Sequence, residues 1–298
     1  MPLCFPSCTR TIGATAGDSR HVSFRCGGTL VLFREKTKPV FELYHHNTAV
    51  CAQKVRLVLE EKEQPWTGHE LNLRLGDQVR PEYLKLNPNG VVPTLVHNGV
   101  PIIESTLINE YLDDVLPHNP LKPRDPKRRV DMRLWTKSID EGLHYAIGSL
   151  SFAILQRDAW LAKPREELDR HLDSLPDPAR RERQREAIDE GLDAPIVRAA
   201  IRSYFKAALH MEAVLSEQRW LAGDDYSLAD VALTPYISRL SMLGMAGLWG
   251  PRVAGWLERI KGRPNYERAI LAYFPKGEIG RFGDLGAAAW TKLKALVN

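Results

Sequence analysis

The residues of this chain whose types and spacing could do chemistry are gathered in one stretch. It runs Leu86-Asn87-Pro88-Asn89-Gly90-Val91-Val92-Pro93-Thr94-Leu95-Val96 and continues through Asn98-Gly99 to Ile102-Ile103-Glu104-Ser105-Thr106. The pattern predicts a short strand, an Asn-Gly hairpin turn, a second strand and a helix whose first turn begins at Glu104-Ser105. A proline has no N–H to give to a sheet ladder, so Pro93 belongs at a strand start or edge, where a cis Val92-Pro93 bond turns the backbone of Val92 outward. The N–H and C=O of Val92 are then free to pair with an extended peptide, as in strand addition. Ser105 and the N–H groups of the helix N-terminus suit a carboxylate. Taken singly, Pro93 and Ser105 read as a turn and a helix cap; taken in this order they read as a binding site.

A second group surrounds the first helix. The spacing predicts a strand over Val40 to His45 and a helix over Ala49 to Lys62, with Thr48 or Asn47 as its N-cap. Cys51, Ala52, Val55, Val58 and Leu59 share one face of it, with Lys54, Arg56, Glu60 and Glu61 outside that face. A thiol in the first turn of a helix has a lowered pKa, which makes Cys51 a candidate reactive group. On a face with Val55 and Val58 it reads equally well as a small buried apolar residue. His45 and His46 are adjacent in a strand and point to opposite faces, so they cannot share an ion without a third ligand, and no metal is expected.

The elements that must position these residues alternate in type. After the first strand and helix come a strand within Gln64 to Leu73, a short helix over Pro81 to Leu86, strands at Thr94-Val96 and Pro101-Ile103, and a helix from Ser105 to Leu116. Such an order gives an α/β layer fold. Pro117 to Lys127 carries four prolines and reads as a linker. Everything beyond it is helical in pattern, which marks a domain boundary. Val130 to Leu155 is amphipathic, with Met132, Trp135, Ile139, Leu143 and Ile147 at helical spacing, and Gln156 to Ala194 is highly charged and reads as a solvated helical pair around Leu175-Pro176-Asp177-Pro178. Pro195 to Glu217 is a further helix. In Gly223-Asp-x-x-Ser-x-Ala-Asp, Ser227 caps a helix while Asp230 reaches back to the Ser227 N–H and Tyr226 packs on Val231. Trp256 to Ile260 and Pro264 to Tyr273 complete the bundle, and Ala287 to Val297 docks as a short amphipathic helix through Trp290, Leu293 and Leu296. The expected division is therefore a poorly ordered tail over 1–38, an α/β domain over 39–117, a linker over 118–127, a helical domain over 128–274 with a charged insertion at about 156–194, and a C-terminal segment over 275–298.

Composition bounds the function. The 298 residues are 44% apolar and 26% charged, the balance of a soluble globular protein, and no run of eighteen apolar residues occurs, so no membrane span is expected. The formal net charge of +4 belongs to the first 38 residues, where six Lys or Arg face only Asp18 and Glu35, and the neutral body argues against a nucleic-acid binder. That tail weakly resembles an organellar transit peptide and fits a mis-assigned start equally well. Cys4, Cys8 and Cys26 lie in it and Cys51 alone in the body, a spacing that gives neither a disulfide framework nor a zinc site, so a reducing, cytoplasmic setting is the simpler reading.

Val92-Pro93 followed by Glu104-Ser105 resembles the glutathione-binding half of the glutathione transferase superfamily, and the resemblance extends over roughly residues 39 to 273. It implies a thioredoxin-like first domain, although the usual Cys-x-x-Cys is absent, followed by an all-helical second domain. It implies that Val92 and Pro93 hold the cysteinyl backbone of glutathione and that Glu104 and Ser105 hold its γ-glutamyl end. The Gly223 to Asp230 capping signature is also that of transferase second domains, and the charged insertion resembles the ganglioside-induced differentiation-associated branch.

In this superfamily the thiolate of glutathione is stabilised by a Tyr, Ser or Cys just before or within the first turn of the first helix. Gln53-Lys54-Val55-Arg56 resembles the x-Arg-Val-Arg run of several classes and puts Ala49 at the usual Ser or Cys position, a departure that leaves Cys51, Thr48 and Asn47 as candidate helpers. Tyr44, inside the first strand, ranks below them. Trp135, His144, Tyr145, Tyr236, Arg239 and Met242 are candidate linings for a small hydrophobic electrophile between the domains, and each fits core packing as well. The resemblance implies a glutathione-dependent detoxification enzyme, a homodimer, without a metal. Its alternatives are a Cys51-dependent deglutathionylase, an ether-cleaving lyase like those of lignin metabolism, and a non-catalytic glutathione-binding protein.

Overall fold

Alternating burial along Phe41–His45 (β4) puts Phe41, Leu43 and His45 on the inner face of a sheet. The computed structural model describes residues 9–14, 20–26, 29–34 and 40–297. Within the tail expected to lack regular structure, Thr9–Ala14 (β1), Arg20–Cys26 (β2) and Thr29–Arg34 (β3) form an antiparallel sheet in the order β1-β2-β3. The other residues of that tail lie outside the described ones. This sheet and the body from Phe41 onward are separate units.

In the body, β4 leads to the helix Val50–Glu61 (α1), then Thr67–Glu70 (β5), the short helix Pro81–Leu84 (α2), the hairpin Thr94–His97 (β6) and Val100–Ile102 (β7), and the helix Ser105–Val115 (α3). The sheet order is β5-β4-β6-β7, with β4 and β5 parallel and the remaining pairs antiparallel. The hairpin turn is Asn98-Gly99, both at positive φ (50° and 81°), the conformation that an Asn-Gly turn of this length requires. The sequence places these elements to within a few residues. One local reading is corrected: the N-cap of α1 is Ala49, with no side-chain cap bond, and neither Thr48 nor Asn47 caps it.

The proline-rich stretch is strapped down rather than loose. Buried Lys62, at the end of α1, pairs with Asp113 at 2.6 Å and donates to the carbonyls of Leu116, His118 and Asn119. The Asp113 carboxylate accepts in turn from the backbone N–H groups of Leu121 and Lys122. A buried ammonium and carboxylate that satisfy one another and the chain around them fix the path between domains.

The helical domain begins one residue before the expected linker ends. Pro126–Ser138 (α4) is capped by Asp125, which accepts from the Arg128 N–H at 2.8 Å. Through π-helical turns at Ile139–Leu143 and Phe152–Gln156 the same rod continues as His144–Ser151 (α5) and Arg157–Leu161 (α6). Arg165–Asp173 (α7) and Pro178–Asp189 (α8) form the charged insertion, and Leu168, Leu172, Leu175 and Ile188 give it a small core of its own, with Phe152 and Trp160 against it. Pro195–Glu217 (α9), Leu228–Met242 (α10), Pro251–Lys261 (α11) and Pro264–Ala269 (α12) follow. The capping box of α10 is formed: Ser227 accepts from Ala229 N–H at 3.3 Å, and Asp230 accepts from the Ser227 and Leu221 N–H groups and from Trp256 Nε1.

The final helix, Glu278–Leu293 (α13), starts nine residues before the short helix that the sequence suggested. Gly280, Gly283 and Gly286 depress its helix propensity and hide it. Gly286 is what lets it dock, because a Cβ there would stand 2.2 Å from the Leu243 carbonyl oxygen. Ala is ordinarily the better helix former, yet Gly286→Ala is expected to lower stability by about 2–3 kcal/mol in urea unfolding, since backbone must shift to admit the methyl.

Candidate functional site

Two polar side chains hold the chain before β6. Tyr83 donates to the Val91 carbonyl at 2.6 Å, Asn87 Nδ2 donates to the same oxygen at 2.9 Å, and both reach the Thr94 hydroxyl. The Val92-Pro93 peptide that follows is cis. Next along the chain, Glu104 is the N-cap of α3 at φ 69°, an uncommon conformation for a non-glycine, and Asn89 Nδ2 reaches its carboxylate at 3.4 Å. Ser105 is the first residue of the helix. Behind it the buried Lys54 ammonium donates to the Thr106 hydroxyl, which donates to Asp140, both at 3.0 Å.

Val92, Pro93, Glu104 and Ser105 open on a single cavity of about 670 Å³. Its floor includes Thr48, Ala49 and Cys51; its far wall includes His144 and Tyr145 of α5 and Tyr236 and Arg239 of α10. These are most of the residues singled out by sequence. Asn47 is not among them: it lines a second, more open cavity with His45 and Trp66, and its carbonyl accepts from Arg56 Nη2 at 2.7 Å. Nor are two of the proposed lining residues. Trp135 is buried, stacked on His210 at 4.4 Å, with its Nε1 donating to the Leu221 carbonyl, and Met242 packs against the main core.

The electrostatics change the reading of Cys51. Its thiol donates to the Val92 carbonyl at 3.1 Å, so that oxygen is engaged, though a carbonyl has a second lone pair to offer. Burial pushes the thiol pKa up, with Lys54 and Arg180 only partly opposing it, where the sequence suggested a helix terminus would bring it down. His144 Nδ1 lies 3.1 Å from the Tyr236 hydroxyl, and burial, helped by Lys54, Arg180 and Arg183, lowers its pKa to about 4. The imidazole is therefore neutral at neutral pH. Arg239 donates to the Thr48 carbonyl and sits 4.9 Å over the Phe282 ring, its pKa lowered to about 10 by burial.

Sequence reasoning missed one wall. The charged insertion is not simply a solvated pair, because Asp177, Arg180, Arg183 and Gln184 of α8 and its N-cap line the cavity. Arg180 Nη1 donates to the Gly90 carbonyl at 3.4 Å, and the Arg183 guanidinium lies 4.4 Å over the Tyr145 ring. The available signal was the spacing of 180, 183 and 184, which puts three long side chains on one helical face. From α13 come Glu278, Arg281 and Phe282, on a helix whose beginning the sequence did not reveal. Among the described residues no group of three or more His, Cys, Asp or Glu is arranged to hold a metal ion. Likewise no helix of the described residues is long and apolar enough to cross a membrane.

Comparison with known proteins places both halves. Residues 49–115 match the family model described as the glutathione S-transferase N-terminal domain, and residues 188–264 match that of its C-terminal domain. The chain is 33% identical over 207 residues to the protein LigF of Sphingobium sp. strain SYK-6, covering 66% of this chain and 78% of that one. The crystal structure of LigF, described as a beta-etherase, superposes with a TM-score of 0.71 at 28% identity over 77% of this chain and 98% of that one. A tetrachloro-p-hydroquinone reductive dehalogenase of Sphingobium chlorophenolicum is 26% identical over 250 residues, 81% of this chain and 100% of that one.

A thiol whose pKa is raised reacts slowly as a nucleophile. Alkylation of Cys51 by iodoacetamide at pH 7, followed by peptide mass mapping, is expected to run more slowly than that of free cysteine and to accelerate only as pH rises past the ordinary thiol range.

Proposed function

Because the chain belongs to the glutathione S-transferase family of enzymes, we propose that its cavity binds glutathione and that the glutathione thiolate attacks a small hydrophobic electrophile lodged between the two domains. The observation that carries this reading is the shared opening of Val92, Pro93, Glu104 and Ser105 on one cavity. The Val92 backbone on the cavity lining, whose carbonyl keeps a second lone pair beside the Cys51 thiol, suits the cysteinyl peptide, and the α3 N-terminus at Ser105 suits a carboxylate. In the reaction a C–S bond forms, the bond to the leaving group breaks, and the leaving group departs with the electron pair.

The similarity to LigF favours one kind of leaving group. For an aryl ether the C–O bond breaks and a phenolate leaves, which a proton then neutralises. His144 and Tyr236, which line the cavity, are the groups proposed to meet that oxygen. The reductive alternative, in which Cys51 takes glutathione from a conjugate, is less well supported, because burial and the bond to Val92 both favour the protonated thiol. A homodimer is part of the proposal, and exposed Leu107 on α3 with Val130 and Leu134 on α4 supplies apolar surface for it.

Calorimetric titration of the full chain with glutathione tests the site. Binding is expected, and Ser105→Ala is expected to weaken it about tenfold, equivalent to ~1.4 kcal/mol. Unchanged affinity in that variant would remove Ser105 from the site. Incubation with glutathione and a model aryl ether, assayed for a glutathione conjugate and a free phenol, separates the ether-cleaving reading from addition to other electrophiles.

A further inference from the structure

Ala49 has a methyl group at the position where the family resemblance implies a hydroxyl or thiol, and the Thr48 hydroxyl beside it lines the same cavity. Cys51 is engaged with the Val92 carbonyl. A cation approaches the same place from the opposite wall. Arg180, on the inserted helix α8, directs its guanidinium toward the loop that precedes Pro93 and donates to the Gly90 carbonyl at 3.4 Å. It lines the cavity together with Ala49, Cys51 and Val92.

The partners of Arg180 set it apart from the neighbouring cations. Arg281 is paired with Glu278 at 2.7 Å, Arg183 with Asp177 at 3.4 Å, and Arg239 is committed to the Thr48 carbonyl. Arg180 forms no ion pair with a carboxylate of any described residue, although Asp177 is near enough to act on it. The charged and titratable groups that face it are Cys51 of α1, His144 of α5, His171 of α7, and Asp177 and Arg183 at its own helix. Of these, His144 and His171 are held toward their neutral forms by burial. A half-buried guanidinium lacking a full counter-charge is a ready partner for an anion that arrives with the substrate.

We infer that Arg180, carried in by the insertion, is the cation set against the sulfur of bound glutathione and does the work of the hydroxyl that Ala49 lacks. The inference rests on the glutathione-binding reading of the cavity. The thiol proton is lost to water, and the negative charge left on sulfur is held by the guanidinium across the cavity. The insertion is thereby part of the reacting site and not an appendage to the helical domain.

The test uses the full chain and two ligands. S-methylglutathione, which has no thiol, reports the binding site alone; glutathione, followed by thiolate absorbance near 240 nm against pH, reports the sulfur. Arg180→Gln is expected to leave S-methylglutathione affinity within about twofold, to lower the acid constant of bound glutathione about tenfold, and to lower turnover at pH 7 in step with the thiolate fraction. Turnover should recover as pH rises, and Arg180→Lys should restore most of the thiolate signal. If Arg180→Gln does not fold, Arg180→Met, which keeps an aliphatic stem, carries the same expectation. An unmoved pKa in these variants overturns the assignment, as does a rise confined to KM for the electrophile, which would give Arg180 to that substrate instead. Failure of the unaltered chain to bind S-methylglutathione overturns the glutathione reading and this inference together.

Discussion

Arg56 of α1 carries its guanidinium into the interior, fully buried, and each of its three nitrogens has a partner within hydrogen-bond reach. Its Nε donates to the Ala269 carbonyl at 2.8 Å and its Nη2 to the Asn47 carbonyl at 2.7 Å, while Nη1 lies 3.1 Å from His45 Nδ1. The Tyr273 ring covers it at 3.9 Å. Burial lowers its pKa to about 10 and that of His45 to about 4, so near neutral pH the arginine is charged and the histidine is a neutral acceptor. A charge this deep is tolerated because each guanidinium nitrogen has a partner and an aromatic ring covers it, and those partners come from both domains. The end of β4, the start of α1 and the end of α12 are therefore held in one geometry by a single side chain.

What that geometry delivers is the turn from 46 to 49, which forms the floor of the site. Its carbonyls are nearly all occupied: Asn47 by Arg56, Thr48 by Arg239 from α10, and His46 by the Ala49 N–H at 3.1 Å. Two arginines, one from each domain, thus fix a segment that has no side-chain helix cap of its own. The opposite rim is held by Tyr83 and Asn87 through the Val91 carbonyl, within the first domain alone. The cavity lies between a rim set locally and a floor set by the helical domain. For that reason a change at the α10 or α12 contacts reaches the site without touching any ligand.

The local part of this design was legible in the sequence, and the long-range part was not. Asn98-Gly99, Pro93 and Glu104-Ser105 announce their conformations because each depends on residues within a few positions of itself. Asp230 and Ser227 did so for the same reason. Trp135 and Met242 lie on the two helices that the resemblance sets against the electrophile, but the sequence does not tell whether an inward side chain meets another helix or an opening. Asn47 was drawn to the site by its closeness in sequence to Ala49, yet the bond from Arg56 to its carbonyl belongs to a contact between residues far apart in the chain. The α13 helix is hidden by three glycines, of which Gly286 is needed for the approach to Leu243, a partner that no local pattern reveals.

The charge pattern of the insertion shows how a tertiary contact reverses a sequence argument. Read alone, α8 is a polar helix with arginines at 180, 181, 183 and 185, the composition of a solvated surface. Two of its arginines nevertheless turn inward, because Leu168, Leu172, Leu175 and Ile188 bind α7 and α8 to Phe152 and Trp160 and so fix which face meets the cavity. Arg183 packs on Tyr145 and Arg180 reaches Gly90. The small core of the insertion, packed on Phe152 and Trp160 at the cavity's edge, is what aims those charges. The floor carries a methyl at position 49, a Cys51 thiol whose pKa burial raises, and the residue Thr48, and the second domain brings Arg180, Arg183, Arg239 and Arg281 to the same cavity. Most of the arginines that line the site therefore come from the helical half, whereas Val92, Pro93 and the α3 N-terminus come from the α/β half.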